Sequence, residues 1–196
     1  MIRRGFLALA AAATLLGGAG AALAQNAEDI LVIEVAGEAE GTVEIELLPD
    51  VAPAHVERIK KLARSGEYDG VAFHRVIDGF MAQTGDVEFG HVGDYAGNLA
   101  GRGGSVLADL PAEFSDIAYQ KGTVGMARSQ SPNSANSQFF IMFDDAPFLN
   151  GQYTVFGKVI RGQSVIDAIK RGDQANNGMV TGKPDYMKKV WIKSDL

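Results

Sequence analysis

Apolar and polar positions alternate in part along eight short segments that are rich in β-branched and aromatic residues. Such runs, bounded by turn residues, predict β-strands. The segments are residues 30–35, 42–48, 71–77, 80–84, 122–127, 138–143, 154–159 and 189–192. Because most of them follow one another through turns such as Asp78-Gly79 and Asn150-Gly151, we expect antiparallel neighbours.

Two further segments repeat apolar residues at the spacing of a helix. The first begins near Pro53, which a helix tolerates in its first turn, and ends before Gly66, which suits a C-cap. Asp50 or a neighbour is the expected N-cap of this first helix. The second helix is expected at residues 162–171. The apolar side of the first helix carries Val56, Ile59, Leu62 and Ala63. The pattern predicts a mainly β fold, a closed eight-stranded antiparallel β-barrel capped by two α-helices.

Residues 85–105 fit neither pattern, since seven of these 21 positions are glycine. The stretch is too long for a simple turn, so we expect a surface loop with its own packing or function. No internal repeat or linker divides the chain after this loop.

The start of the chain has the three parts of a secretory signal. Arg3 and Arg4 are basic, residues 5–24 carry no charge, and Ala22-Leu23-Ala24 supplies the small residues of a cleavage site. A membrane anchor is the alternative, because twenty uncharged residues could span a bilayer.

We therefore expect a signal peptide at residues 1–24, cleaved after Ala24, a loose N-terminus at 25–29 and one domain at 30–196. Export by the Sec or the twin-arginine route would place the mature protein in the periplasm, with no stable membrane association after cleavage.

Charge and cysteine content exclude several classes of function. The 196 residues include 18 Lys and Arg, 24 Asp and Glu and no Cys, for a net charge of −6. An acidic chain is a poor partner for nucleic acid or for an anionic membrane surface. Without cysteine there is no disulfide framework, thiolate metal site or cysteine nucleophile.

Motifs for metal, acyl-transfer and phosphate chemistry are missing from the sequence. His55, His74 and His91 have no second ligand at metal-binding spacing, and Ser105 lacks the G-x-S-x-G frame of a nucleophile elbow. Residues 178–183 are one residue short of a phosphate-binding loop. We expect neither a metal nor another cofactor.

Three islands of sequence combine apolar residues with amides and one cation. They are residues 68–85, 126–141 and 148–159. Arg75 lies in an apolar strand, where a guanidinium is costly unless it is paired or has a task. The islands hold no credible nucleophile or general base, and they suit recognition of a peptide that carries an apolar ring.

These islands resemble the cyclophilin family of peptidyl-prolyl cis-trans isomerases. The segment F-H-R-V-I-D-G-F-M-A-Q-T-G within residues 68–85 matches the family signature, and S-Q-F-F-I at 137–141 and V-F-G-K-V at 155–159 match as well. The resemblance extends from residue 30 to residue 192. It implies an eight-stranded barrel with two helices and catalysis of rotation about X–Pro bonds.

The resemblance also assigns roles to individual residues. It implies that Arg75 is catalytic and that the substrate-binding residues are Phe80, Met81, Gln83, Gly101, Ala127, Arg128, Gln138, Phe140, Phe148, Leu149 and Tyr153. Within that set the proline pocket is formed by Phe80, Met81, Phe140 and Leu149. Gln83 and the backbone of Arg128 hold the substrate chain, Ala127 and Gln138 line the adjoining groove, and Gly101 shapes a neighbouring pocket.

Three positions depart from the family pattern. Phe148 and Tyr153 occupy positions that often hold Trp and His, and Arg128 replaces the usual Asn. Because Phe148 has no indole N–H, we expect weak cyclosporin binding. The partners implied are proline-containing polypeptides, with folding of exported proteins as the role and a monomer as the assembly. The alternative is a proline-peptide binding module or chaperone with little turnover.

Overall fold

A computed structural model describes residues 26–196, and nine strands within that range form one antiparallel sheet. The strands are β1 (Ile30–Ala36), β2 (Gly41–Leu47), β3 (Val71–Ala72), β4 (Arg75–Ile77), β5 (Met81–Thr84), β6 (Thr123–Met126), β7 (Phe139–Met142), β8 (Val155–Arg161) and β9 (Tyr186–Ile192). Their order in the sheet is β3-β9-β1-β2-β8-β6-β7-β5-β4. The mainly β antiparallel class predicted from the sequence is confirmed.

The two edge strands, β3 and β4, are separated in the chain by only Phe73 and His74. An extended chain covers about 3.5 Å per residue, so the edges lie within roughly 11 Å of each other. The sheet must therefore curl back on itself into a barrel shape.

The strand count differs from the eight predicted, because the expected strand 71–77 is divided in two. Between its halves, the Phe73 N–H donates to the Asp185 carbonyl oxygen at 2.8 Å, and the His74 carbonyl oxygen accepts from the Val180 N–H at 2.9 Å. The segment that leads into β9 thus lies along the seam between the edges β3 and β4, and these two single hydrogen bonds hold it there. Along this seam no strand ladder joins β3 to β4, and the barrel is not fully closed.

Two α-helices accompany the sheet within the described range, α1 (Pro53–Arg64) and α2 (Gln163–Ala168). The predicted apolar side of α1 is buried, and Gly66 follows the helix with φ +75°. The predicted α2 was too long, since the backbone is already extended at Ile169. α1 packs against β9 and α2 against β2.

The expected N-cap of α1 is wrong. The N-cap residue is Ala52, which has no side chain able to accept a hydrogen bond. The carboxylate of Glu113 takes that place, accepting from the Ala54 N–H at 3.2 Å and the His55 N–H at 3.1 Å. Helix α1 is therefore capped by a loop that lies 58 residues further along the chain.

Aromatic rings fill much of the core between the sheet and α1. Phe139 lies edge-on to Tyr68 and to Phe156, with ring centroids 5.7 and 5.9 Å apart. The buried Tyr68 hydroxyl donates to the Ser137 carbonyl oxygen at 2.7 Å, so its burial leaves no orphan donor. The large side chains that are fully buried around them include Leu31, Ile33, Ile45, Leu47, Ile59, Leu62 and Phe73.

The segment expected to be a loose N-terminus is held in place where the structure describes it. Asn26 caps a 3-10 turn at Ala27–Asp29. Lys60 and Arg64 of α1 then form ion pairs with Asp29 at 2.7 Å and with Glu28 at 2.8 Å. The predicted signal peptide and its cleavage site lie outside the described residues. No helix of residues 26–196 combines the length and apolar character needed to cross a membrane.

The glycine-rich loop at 85–105 is organised by one buried carboxylate. Asp86 Oδ1 accepts from the N–H groups of Glu88 and Phe89, and Oδ2 accepts from those of Gly101 at 2.6 Å and Gly103 at 3.0 Å. The loop therefore has its own packing, as expected, and both of its ends are tied to Asp86, two residues after β5.

Candidate active site

Arg75 of β4 is the central cation of a surface groove. It faces Gln83 across the β4–β5 ladder, and its Nη1 donates to Gln83 Oε1 at 3.0 Å. On the other side, Nε donates to the Asn177 carbonyl oxygen at 3.0 Å and Nη2 to Asn177 Oδ1 at 2.9 Å. These acceptors are all neutral, and no carboxylate of residues 26–196 forms an ion pair with Arg75.

The guanidinium is half-buried, and burial lowers the pKa of Arg75 below its ordinary value. An arginine in a protein stays protonated even so. The arrangement is a cation fixed in direction whose charge is not cancelled by a counter-ion.

A chain of amides extends from Arg75 across the groove. Gln83 Nε2 donates to Gln138 Oε1 at 2.9 Å, and Gln138 Nε2 donates to the Gly103 carbonyl oxygen at 2.8 Å. Because Gln83 Oε1 accepts from Arg75, both amides are fixed in orientation. Strand β5, the residue before β7 and the glycine-rich loop are thereby locked together.

An apolar pocket of about 350 Å³ opens beside Arg75. Phe140 lies in it between two aromatic neighbours, Tyr119 stacked at 5.7 Å and Tyr153 edge-on at 5.9 Å. The rings of Phe80 and Phe148 pack against each other with their centroids 5.6 Å apart, and Phe148 is 64% exposed. The pocket is lined by Arg75, Phe80, Met81, Gln83, Ala127, Arg128, Phe140, Phe148, Leu149, Gln152 and Tyr153.

A second pocket of about 290 Å³ adjoins the first. Its lining is polar and consists of Gln83, Gly101, Arg102, Gly103, Ala127, Arg128, Ser129, Ser134, Asn136 and Gln138. Gln83, Ala127 and Arg128 belong to both pockets, so the two form one continuous groove.

Gly101 is fitted to its place in the second pocket by backbone shape and by space. Its φ of +95° is costly for a residue with a side chain, and a Cβ would lie 3.1 Å from the His74 ring. Burial lowers the pKa of His74 to about 4, so this imidazole is neutral at physiological pH. His74 is thus a packing element behind the groove wall.

The groove contains all twelve residues that the sequence assigns to the site, in one pocket or both. Three further residues at the site had no functional signal in the sequence: Asn177, Tyr119 and Gln152. Asn177 lies 102 residues after Arg75 and adopts φ +55°, and its only signal is the Asn-Asn-Gly sequence of a turn.

The groove can bind a ligand and polarise it through the Arg75 guanidinium, but it is not equipped for nucleophilic or proton-transfer chemistry. Its lining residues include no His, Cys, Asp, Glu or Lys that could act as nucleophile or general base. Among residues 26–196 no cluster of three potential metal ligands occurs. What remains is an apolar pocket, a row of amides and a directed guanidinium.

Comparisons with known proteins agree with this geometry. Residues 30–192 match the family model for cyclophilin type peptidyl-prolyl cis-trans isomerase/CLD. A probable peptidyl-prolyl cis-trans isomerase of Brucella suis is 54% identical over 195 residues, covering 99% of this chain and 97% of the relative. A peptidyl-prolyl cis-trans isomerase of Acinetobacter baylyi is 37% identical over 163 residues, covering 79% and 81%.

Solved structures show the same fold. A cyclophilin from Hirschia baltica aligns with a TM-score of 0.71 at 27% identity, over 87% of this chain and 76% of that chain. A cyclophilin type peptidyl-prolyl cis-trans isomerase from Cryptosporidium parvum, crystallised in the presence of the dipeptide Ala-Pro, aligns with a TM-score of 0.68 at 26% identity, over 83% and 98%. The chain therefore belongs to the cyclophilin family of peptidyl-prolyl cis-trans isomerases.

Proposed function

We propose that the groove around Arg75 is where this isomerase rotates X–Pro bonds, and that Arg75 stabilises the twisted amide. One observation carries the assignment. Arg75 is a fixed cation with no carboxylate partner in the described chain. It lies on the wall of a pocket of about 350 Å³ that has apolar side chains in its lining and is large enough to admit a prolyl ring.

The reaction needs no covalent step. Resonance gives the amide C–N bond partial double-bond character, and the barrier to rotation is about 18–20 kcal/mol. Twisting the bond ends the conjugation and returns a lone pair to the prolyl nitrogen. A donor aimed at that nitrogen binds the twisted state more tightly than either planar state, which is the condition for catalysis.

Arg75 supplies such a donor, but it does not supply the whole effect. A rate enhancement of about 10⁵-fold requires about 7 kcal/mol, and a charge-assisted hydrogen bond contributes about 1.5–3 kcal/mol. The remainder comes from excluding water from the pocket and from holding the substrate chain. Phe80, Met81, Phe140 and Leu149 would enclose the ring, while Gln83 and the Arg128 backbone would hold the flanking chain. Because the flanking chain is held, only one side of the X–Pro bond turns.

The substrates on this proposal are proline-containing polypeptides. The relative crystallised in the presence of Ala-Pro supports this class. A leader at residues 1–24 would direct the chain to the periplasm, where its role would be to assist folding of exported proteins. Intact mass of protein recovered from the envelope tests this part of the proposal, since a soluble product beginning at Gln25 is expected and a full-length membrane-bound product contradicts it.

We also propose that the protein acts as a monomer with weak affinity for cyclosporin. The twelve residues assigned to the site lie together in the groove of one chain. Light scattering of the purified protein tests the monomer directly.

The experiment for the isomerase site is a protease-coupled assay on a proline peptide with three proteins: wild type, Arg75→Ala and Arg75→Lys. We expect Arg75→Ala to lower kcat/KM by about 10²-fold or more, as removal of a preorganised donor does. Arg75→Lys should recover little, because an ammonium lacks the planar fork of donors.

Peptide affinity and thermal melting of the same variants show whether Arg75 acts in catalysis, in substrate binding or only in the fold. Planar substrate gains little from the donor, so affinity should fall much less than rate. Equal losses in rate and affinity would mean that Arg75 only holds substrate. A wild-type protein that binds the peptide without accelerating isomerisation would be a binding module or chaperone.

A further inference from the structure

The charge of the groove is opposite to that of the protein. The chain carries a net charge of −6, yet the side chains that line the two pockets include Arg75, Arg102 and Arg128 and no Asp or Glu. A cleft lined by charges of one sign concentrates the field and attracts the opposite charge. Arg75 faces the reacting bond, so Arg102 and Arg128 are available to the residues that flank proline.

Arg128 is held rigidly at the junction of the two pockets. Its Nε and Nη2 donate to the Gln152 carbonyl oxygen at 3.3 and 2.9 Å, and its Nη1 donates to that of Ser129 at 2.9 Å. The guanidinium also lies over the Tyr153 ring, 4.3 Å from its centroid. These partners are all neutral, so the charge is fixed in place and not cancelled.

Arg102 lies on the far wall of the second pocket, on a stretch of backbone that is anchored on both sides. The N–H groups of Gly101 and Gly103 both donate to Asp86 Oδ2. The Arg102 side chain is exposed and forms no ion pair with any carboxylate of residues 26–196. It therefore presents a free positive charge to anything that occupies the pocket.

The nearest carboxylates weaken this field without lining the groove. Asp86 is buried within the glycine-rich loop, with both oxygens accepting backbone N–H groups. Asp109 does not line the second pocket, and its Oδ1 accepts from Nδ2 of the lining residue Asn136 at 3.0 Å. Glu88 lies beside Gly103 and is exposed to solvent.

We infer that this groove prefers proline segments that carry Asp or Glu beside the proline, and that Arg128 and Arg102 are the residues that set the preference. The inference rests on the proposed isomerase site and adds its substrate class. An opposite charge about 7 Å from a fixed charge at a partly exposed site changes the rate by a few-fold, so exchanging Glu for Lys changes it by about tenfold.

The experiment measures kcat/KM in low salt for three peptide sets that differ only in charge. Glu, Gln or Lys is placed at each of the two positions before and the two positions after the proline. Each set is run with wild type, Arg128→Gln, Arg102→Gln and the double variant. The control is Lys61→Gln, which removes one positive charge from the exposed side of α1, away from both pockets.

We expect wild type to favour Glu over Lys by about tenfold at one position or more, falling to about twofold in 0.5 M NaCl as salt screens the charges. Each single arginine variant should reduce the ratio and the double variant should bring it near one, while Lys61→Gln keeps the wild-type ratio. A wild-type ratio near one at every position, or a ratio that survives in the double variant, overturns the inference. The Gln peptides test the proposed function separately. If the wild type fails to isomerise these uncharged peptides, the proposed isomerase site is refuted, and not the charge preference alone.

Discussion

Glu113 Oε2 lies 2.6 Å from Nδ1 of His55 at the beginning of helix α1. The same carboxylate accepts the N–H groups of Ala54 and His55, which have no acceptor within the helix. Negative charge at a helix N-terminus also meets the positive end of the helix dipole. One side chain from a distant loop therefore caps the helix, pairs with one nitrogen of a buried imidazole and joins two parts of the fold.

Replacing this carboxylate should lower stability. Glu113→Gln keeps the size of the side chain but turns an amide NH₂ toward donors, so one or more N–H groups lose their acceptor. We expect a loss of about 1–3 kcal/mol in the free energy of unfolding, the cost of a lost cap with an unsatisfied buried group. Denaturant titration at pH 7 measures it.

The matched control for that variant is Glu57→Gln on the same helix. Glu57 is exposed and makes no side-chain hydrogen bond with any of residues 26–196, so its change should stay within about 0.5 kcal/mol. Equal effects of the two variants would mean that the Glu113 contacts do not stabilise the helix.

Stability should decline as the pH falls from neutral toward 4. Burial lowers the pKa of His74 to about 4 from an ordinary 6.5, and burial likewise lowers the pKa of His55. Between the folded and unfolded pKa values the unfolded chain binds more protons, so stability rises with pH in that interval. For His74 alone the difference corresponds to about 3 kcal/mol, complete above pH 6.5 and lost as the pH falls through 4.

Glu113 acts in the same direction at lower pH. Its contacts with His55 and the α1 backbone hold the pKa of this carboxyl below its usual value despite its partial burial, so protonation removes stability as the pH falls through that lowered pKa. Denaturant titrations at several pH values from 7.5 to about 3 give the profile. A His74→Gln variant should flatten it between pH 6.5 and 4 whatever its stability at pH 7, and a flat wild-type profile would contradict the prediction.

Asn177 should act on the rate through Arg75. Its backbone oxygen and Oδ1 both accept from the guanidinium, and its φ of +55° is a conformation that Gly and Asp also tolerate. Asn177→Gly keeps the backbone acceptor and loses Oδ1, so we expect a fall of a few-fold in kcat/KM. Asn177→Asp keeps an acceptor but places a negative charge 2.9 Å from Nη2, and the ion pair should draw the guanidinium away from the substrate.

The Asn177→Asp variant shows whether Asn177 positions Arg75 for the reaction or only stabilises the fold. We expect kcat/KM to fall by about tenfold or more, which is about 1.4 kcal/mol of transition-state stabilisation, while the melting temperature holds or rises. Peptide affinity should change less than rate. A residue with a merely structural role would show the reverse order, with Gly the more damaging change and Asp nearly silent.

Local signals account for the parts of the fold that were predicted well. The apolar face of α1 and strands β1, β2 and β5 to β8 follow from periodicity and turn residues, because side chains that face the core must repeat with the period of the backbone. The family motifs likewise identified the twelve residues that lie together in the groove. They come from β4, β5, β7, the turn between β4 and β5 and the loops between residues 85 and 153.

What was missed depends on partners that are distant in sequence. Glu113 replaces Asp50 as the cap because tertiary packing brings it to the helix, and no local pattern at residues 50–53 shows this. The division of the strand at 71–77 follows from hydrogen bonds to the segment that precedes β9. Asn177 had only a turn signal, since its contact with Arg75 exists only in the folded chain.

Phe148 provides the last prediction, on inhibition by cyclosporin. Its ring lies on the rim of the apolar pocket, tilted against Phe80 at 5.6 Å and mostly exposed, and it offers no hydrogen-bond donor to a ligand in the groove. A Trp in this place would keep the aromatic wall and add an indole N–H at a site open enough to accept the larger ring. We expect Phe148→Trp to tighten cyclosporin inhibition by about 5–10-fold, the scale of one hydrogen bond, with kcat/KM on a proline peptide nearly unchanged. Inhibition constants for wild type, Phe148→Trp and Phe148→Leu measure this, and the Leu variant shows what the ring alone contributes. Tight inhibition of the wild type would show that Phe148 does not limit binding of this ligand.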